Sequence, residues 1–525
     1  MNRAGPTQIP VDSQLIDGLM CPTAFGHQVD DVHLRETHIS WLILAGEFVY
    51  KIKKPIVLDF LDFGSLEKRR FFCDEEIRLN RPWAPDIYLD VVPVTMQDDQ
   101  PIFGGSGEPI EYAVRMRRFD EDMQLDRQLE QDQLTAEDMQ ELANMIAKRH
   151  QGALSVDDSQ RGRVLRLTNE FMWDNFKTLD TTINGETLDT LKNWTKNELR
   201  KVETILGKRF DDGFVRDCHG DLHLGNLVRL PDGITTFDCI EFSTDLRHID
   251  VMCDLAFLIM DLFGKGRRDL AVRFLNRYLE VTGDYDGLAV FNLFFVYRCL
   301  VRAKVAVIMS QERDDAAAAE QDLAEAGAYC EMALRQAADR TPVLMLMHGL
   351  SGSGKTWVSE KLLETMPAIR LRSDIERKRM VAVHETASSD SGLGEGIYIE
   401  SLNRDVYAKL LTLATLVLEA GHNVILDATY LRESDRAAAR TLAECSDWQF
   451  LIIDVTARPS VMRQRISRRK ALTANASEAD LDVLERQIET AEHLTATELS
   501  RTITCDNSQS IDTVKILDHI RQLLV

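Results

Sequence analysis

Two stretches of this chain place residues at spacings that suit the handling of phosphate. The first is Gly349-Leu350-Ser351-Gly352-Ser353-Gly354-Lys355-Thr356, which satisfies G-x-x-x-x-G-K-[ST] between the apolar run VLMLM and the helical-looking TWVSEKLLETM. Glycines here let backbone N–H groups of Gly349, Ser351, Gly352, Ser353 and Gly354 close round phosphate oxygens at a helix N-terminus, where the dipole favours anions. Lys355 then reaches the β- and γ-phosphates and Thr356 holds Mg2+.

Carboxylates and arginines follow this loop. Asp374, in Arg372-Ser373-Asp374, lies at the carboxyl end of an apolar run, the end that faces the ligand crevice in an open α/β sheet. There it is placed to accept a proton from an attacking hydroxyl, and it also suits capping of the next helix. Asp427 ends HNVILD, where a Walker-B-type acid lies on or near Mg2+. The segment VMRQRISRRK offers Arg463, Arg465, Arg468 and Arg469 to close over transferring phosphates, or simply as a solvated basic face.

The second stretch is His219-Gly220-Asp221-Leu222-His223-Leu224-Gly225-Asn226, with the spacing of the protein-kinase catalytic loop H-R-D-L-x-x-x-N and glycine in place of arginine. Asp221 takes the substrate hydroxyl proton in that pattern and Asn226 ligates a metal. Asp238, in TTFDCIEF, stands where a second metal-binding acid belongs. Upstream, Phe48-Val49-Tyr50-Lys51 is similar to the strand whose lysine pairs with nucleotide phosphates, and FCDEEIRL supplies a helical carboxylate to hold it. Lys53 shares a strand face with Lys51, and Glu76 competes with Glu75, so spacing alone leaves both choices open; Lys51 and Glu75 stand as the first candidates.

These residues need elements to hold them. The region before about residue 118 reads as short strands with one helix: a hairpin of 39–45 and 47–52 round Gly46, a helix over 66–81 stopped by Pro82, then strands at 91–94 and 112–116. Residues 119–340 read as mostly helical, interrupted at 213–242 and closing on an Ala-rich, exposed helix at 314–340. Beyond Thr341-Pro342, apolar runs at 343–347, 368–371, 423–426, 449–455 and 501–504 alternate with helical stretches, the pattern of a parallel α/β sheet. The expected architecture is an α+β bilobal kinase-like domain, 1–340 (lobes 1–118 and 119–340), followed by an α/β P-loop domain, 341–525.

On GLSGSGKT, RSDIER, VILDAT and RQRISRR, residues 343–525 resemble the P-loop kinases of small substrates, including polynucleotide-kinase-like and zeta-toxin-like members. The resemblance implies Asp374 as the substrate-activating base and Arg465 and Arg469 as lid residues. HGDLHLGN and the DLAFL at 254–258 are similar to the aminoglycoside phosphotransferase and choline kinase-like family over roughly residues 25–310. That likeness implies nucleotide bound beneath Lys51 and an EYAVRM hinge at 111–116, with Asp254 orienting the catalytic loop. No G-x-G-x-x-G loop precedes Lys51, so ETHISWLILAG has to cover the phosphates.

The net charge of −23 disfavours long nucleic acids and anionic membranes as partners. Nine scattered cysteines without a C-x-x-C pair read as free thiols, and MNRAGPTQIPVDS lacks a secretory apolar segment, so a cytoplasmic location is expected. ATP and Mg2+ are the expected cofactors and small hydroxyl compounds the expected acceptors. A nucleic-acid-end or nucleotide-sugar kinase, or an ATP-sensing regulator with one inactive domain, are the competing readings.

Overall fold

Two apolar-rich runs joined by a Gly46 turn at φ 59° produce the expected hairpin, Ser40–Ala45 paired with Phe48–Lys53. The computed structural model describes residues 13–58, 61–381, 400–470, 481–508 and 513–523. By packing the chain falls into two units, Met1–Thr168 with Arg209–Asp261, and Asn169–Lys208 with Leu262–Val525.

In the first unit six antiparallel strands lie in the spatial order Val32–Glu36, Ser40–Ala45, Phe48–Lys53, Glu111–Arg117, Tyr88–Gln97 and Gln100–Phe103. The expected hinge at 111–116 is therefore interior strand, bonded on both sides, and the chain leaves the sheet only after Arg117. Helix Leu66–Asn80 starts on a Ser65 cap whose Oγ accepts the Lys68 N–H, and it ends just before Pro82. It buries Cys73, Glu76 and Leu79. A short hairpin, Leu227–Leu230 with Gly233–Thr236, and the turns on either side of it carry the kinase-like loop.

The second unit contains the expected parallel sheet, ordered Ile369–Arg372, Val424–Asp427, Val343–His348, Gln449–Thr456, Thr502–Asp506. Its middle strands are continuously apolar because helices cover both faces. Ile369–Arg372 is an edge strand, and helix Arg268–Thr282 covers it: the Asn276 amide donates to Ala368 O (2.9 Å) and accepts from the Arg370 N–H (2.7 Å). Val272 of the same helix joins the core of the sheet. Residues 262–340 thus pack with the P-loop sheet, and the division of the chain by packing differs from the expected 340/341 boundary. The Ala-rich helix, Ala316–Ala337, is also less exposed than expected, since it packs Ala326, Cys330 and Ala333 inward. Among the described residues no helix is long and apolar enough to cross a membrane.

A fragment beginning at Thr341 is accordingly expected to aggregate or to melt several degrees below one beginning before Arg268. The shorter piece exposes the edge strand and loses Asn276, the partner of Ala368 O and of the Arg370 N–H. Thermal denaturation of the two fragments checks this.

Candidate active sites

In the first unit, strand Phe48–Lys53 and helix Leu66–Asn80 converge on one carboxylate. Glu76 Oε1 accepts from Lys51 Nζ and Oε2 from Lys53 Nζ, each at 2.8 Å. Adjacent helical residues point about 100° apart, so only one glutamate can face the strand. Glu75, the first candidate, turns away and forms a two-pronged pair with Arg78 (2.9 and 2.8 Å); Glu76 replaces it. The lysines also divide: Lys51 reaches Asp238 Oδ1 at 2.6 Å, whereas Lys53 pairs with the buried Glu241. Burial alone would pull the Lys51 ammonium down, but Asp238 and Glu76 beside it drive its pKa well above the usual lysine value.

The strand and its helix thus hold two cations of different use. Lys53 is fully buried between Glu76 and Glu241. Lys51 lies at the edge of the cluster, against an aspartate that is half exposed. Lys53→Met is therefore expected to cost about 3–5 kcal/mol of stability, the usual consequence of breaking a buried pair from one side. Lys51→Met is expected to abolish nucleotide-dependent turnover at this site, read in a Lys355→Ala background, with a smaller stability loss, because Glu76 keeps Lys53. Urea denaturation and ATP turnover on both variants separate the roles.

The catalytic-type loop is anchored from below. Asp254 accepts the N–H groups of His219 (3.1 Å) and Gly220 (2.9 Å), which is the orienting role expected of it. With those bonds and His150 Nε2 at 3.2 Å, the buried His150–Cys218–Asp254 cluster is a hydrogen-bonded support rather than an open cation site. Burial and the Arg149 charge push His219 down to about 4, so its ring is neutral near pH 7. Its Nδ1 accepts the Asp221 N–H, and Nε2–H donates to Phe237 O at 2.9 Å. Gly220 explains the missing arginine: it sits at φ 83°, and a Cβ there would meet Leu246 O at 3.0 Å and Arg247 Cβ at 3.2 Å.

Above this support the candidate residues converge. Asn226 Nδ2 donates to Asp221 Oδ2 at 3.0 Å, leaving its carbonyl oxygen as the acceptor atom. His223 Nε2 lies 3.4 Å from the same Asp221 oxygen, and its Nδ1 accepts the Gly225 N–H. Asp238 adopts φ 59°, held by its N–H on the Tyr88 hydroxyl (2.9 Å) and by the next N–H, of Cys239, on Asn80 Oδ1 (2.9 Å). Tyr88, Asn80 and Glu241 carry no motif of their own; only Glu241, two residues beyond Cys239 in DCIE, has a spacing that a search for a second acid could have used.

In the second unit the glycine-rich loop leaves strand Val343–His348 and enters helix Lys355–Leu363. Gly349, Gly352 and Gly354 have φ of 133°, 81° and 99°. A Cβ on Gly352 would stand 2.8 Å from Met462 O, and one on Gly354 would run into Asn507 Nδ2. Lys355 Nζ folds back on Gly349 O (2.9 Å) and Leu350 O (3.0 Å), and Thr356 is exposed at the helix start. Ser353 Oγ is buried without a hydrogen-bond partner among the described residues. Ser351 N–H donates to Gln487 Oε1 at 2.8 Å, a contact that no motif announces.

The remaining candidates are placed unequally. Asp427 ends its strand and accepts from Ser359 Oγ, in the helix that follows the loop, at 3.2 Å. Asp374 sits in the first turn of helix Ser373–Met380, 3.3 Å from Arg377. Arg465, expected to close over phosphates, instead braces the loop: its guanidinium donates to Ser353 O (3.0 Å) and Asn507 O (2.7 Å), because a loop turned by positive-φ glycines presents carbonyls on its outer side. Arg463 is occupied with Glu485, Arg468 is exposed, and the side chain of Arg469 lies outside the described residues.

Both sites fit the groups expected of them. Asn226 with Asp238, and Thr356 with Asp427, are all-oxygen donor sets of the kind Mg2+ prefers. The positive-φ glycines and the buried, unpartnered Ser353 Oγ suit a loop that wraps phosphate.

Comparison with known proteins finds two family models, one over each candidate site. Residues 100–291 match the phosphotransferase enzyme family (APH), and residues 344–494 match an AAA domain family model (AAA_33). The uncharacterised protein Rv2004c of Mycobacterium tuberculosis and the uncharacterised protein Mb2027c of Mycobacterium bovis are each 29% identical over 475 residues, 89% of this chain and 92% of theirs. Among solved structures, the APS kinase CysC of Mycobacterium tuberculosis, in complex with AMPPNP and APS, matches with 21% identity and a TM-score of 0.26, over 36% of this chain and 99% of that one.

Proposed function

We propose that this chain, which joins an APH-type phosphotransferase domain to a P-loop kinase domain, transfers the γ-phosphoryl group of ATP to hydroxyl groups of small molecules at two separate sites. The observation that carries the reading is the complete set at the first site, where Lys51, Glu76 and Asp238 form one cluster and Asp221 with Asn226 another. A domain of this type kept only for binding has no need of a base and two metal-ligand positions.

At the first site Lys51, fixed by Glu76, orients the nucleotide phosphates. Asp221 receives the proton as the acceptor oxygen bonds to the γ-phosphorus and the bond to ADP breaks. Asn226 and Asp238 would hold Mg2+, which when bound would supply positive charge to neutralise the phosphate oxygens. At the second site the loop N–H groups and Lys355 cradle the phosphates, Thr356 and Asp427 serve the cation, and Asp374 is the base. Positioning and charge neutralisation carry most of such catalysis. The net charge of −23 supports small acceptors over long polyanions, and a cytoplasmic setting accords with the free thiols.

Incubating the full chain with γ-labelled ATP and a fractionated metabolite extract tests this. A labelled small molecule bearing a new phosphoester supports the proposal. Nucleotide binding without any phosphorylated product across the fractions overturns it in favour of an ATP-responsive regulator.

A further inference from the structure

Helix Arg268–Thr282 does more than cover the edge of the P-loop sheet. From its last turn Glu280 enters a buried line of polar groups that ends at the candidate cation ligands. Glu280 Oε1 accepts from Arg370 Nη2 at 3.1 Å, and Arg370 Nη1 lies 3.4 Å from Ser359 Oγ. Ser359 Oγ in turn is 3.2 Å from Asp427 Oδ2 and 2.9 Å from Thr356 O. Glu280, Arg370, Ser359 and Asp427 are all buried. Arg372 at 3.7 Å and Arg277 at 3.6 Å also face Glu280, and Glu360 faces Arg370 at 3.3 Å.

We propose that Glu280 is a positioning residue of the P-loop site: it holds the Arg370 guanidinium against Ser359, whose Oγ borders Thr356 O and Asp427 Oδ2, and keeps that positive charge from taking the place of a divalent cation at Asp427. The inference rests on the P-loop reading given above. Its physical basis is competition. A buried guanidinium seeks a carboxylate, and the two within its reach besides Glu360 are Glu280 and Asp427. Glu280 takes up its Nη2; without Glu280, Arg370 turns more of its charge on Asp427 and weakens the hold on Mg2+. Glu280 lies within residues 100–291, so the segment matched by the phosphotransferase family supplies a part to the P-loop site.

The test uses the full chain with Mn2+ as the probe, counting free Mn2+ by electron paramagnetic resonance in the presence of ADP, and measuring ADP binding separately in chelator. Lys355→Ala identifies the Mn2+·ADP component that belongs to the P-loop. Glu280→Gln is expected to weaken that component about 10–100-fold, the usual effect of losing a residue behind a metal ligand, while metal-free ADP binding changes less than about twofold. Asn276→Ala, which removes an anchor of the same helix outside the charged line, is expected to lower the melting temperature and leave the Mn2+ constant alone. Should Glu280→Gln not fold, Ser359→Ala interrupts the line at its middle and decides the matter by the same readout.

An unchanged Mn2+ constant in Glu280→Gln overturns the proposal, as does an equal loss in Asn276→Ala. If Lys355→Ala itself leaves nucleotide and Mn2+ binding intact, the P-loop reading fails, a result distinct from either of these.

Discussion

Asp221→Asn is expected to lower acceptor phosphorylation at the first site by about 10²–10⁴-fold, the range that a positioned general base contributes. The substitution is nearly isosteric, and the side-chain oxygen that accepts from Asn226 Nδ2 is retained. The loop itself hangs on Asp254 through the His219 and Gly220 N–H groups, which the change does not touch. Nucleotide affinity, which the proposed function assigns to Lys51 and Asp238, is expected to stay within about threefold, so the loss falls on turnover rather than on binding. Product formation measured in a Lys355→Ala background isolates the first site. Turnover within twofold of the parent would remove Asp221 from the chemistry.

How much of this was legible beforehand differs between local and long-range features. The five runs after Thr341 all became parallel strands; the three interior ones, Val424–Asp427, Val343–His348 and Gln449–Thr456, were the most legible, because a strand covered on both faces needs a nearly uninterrupted apolar run and such a run is visible without its neighbours. The glycine-rich loop was legible for a similar reason: its conformation is set by its own glycines, all contiguous in the chain. The kinase-like loop was legible as spacing, since Asp221 and Asn226 lie on one turn and meet at 3.0 Å.

What the sequence hid depends on which way a helix faces or on partners far along the chain. Glu75 and Glu76 are equivalent as letters; only the orientation of Leu66–Asn80 against the sheet gives both lysines to Glu76. Arg465 sits in a basic run that reads as a lid, yet its geometry depends on Asn507 and on the outward carbonyls of the loop. Asn276 and Glu280 belong to an ordinary amphipathic helix in sequence. Their role comes from the edge strand Ile369–Arg372, whose unpaired backbone and two arginines need partners.

Lys355→Ala is expected to reduce ATP turnover at the second site by about 10²–10³-fold, the usual effect of deleting one preorganised group aimed at developing charge. Because Lys355 Nζ also ties Gly349 O to Leu350 O, the variant should loosen the loop and weaken nucleotide binding, so KM rises along with the fall in kcat. This pattern contrasts with Asp221→Asn, where binding is spared. Two products measured in one assay make the contrast decisive. If the sites act on different molecules, each single variant removes one product and spares the other, and the double variant removes both. If the product of one site is the acceptor of the other, one variant removes its own product together with the doubly phosphorylated compound and the other removes only the second. Loss of neither product in Lys355→Ala would take the P-loop out of the catalysis.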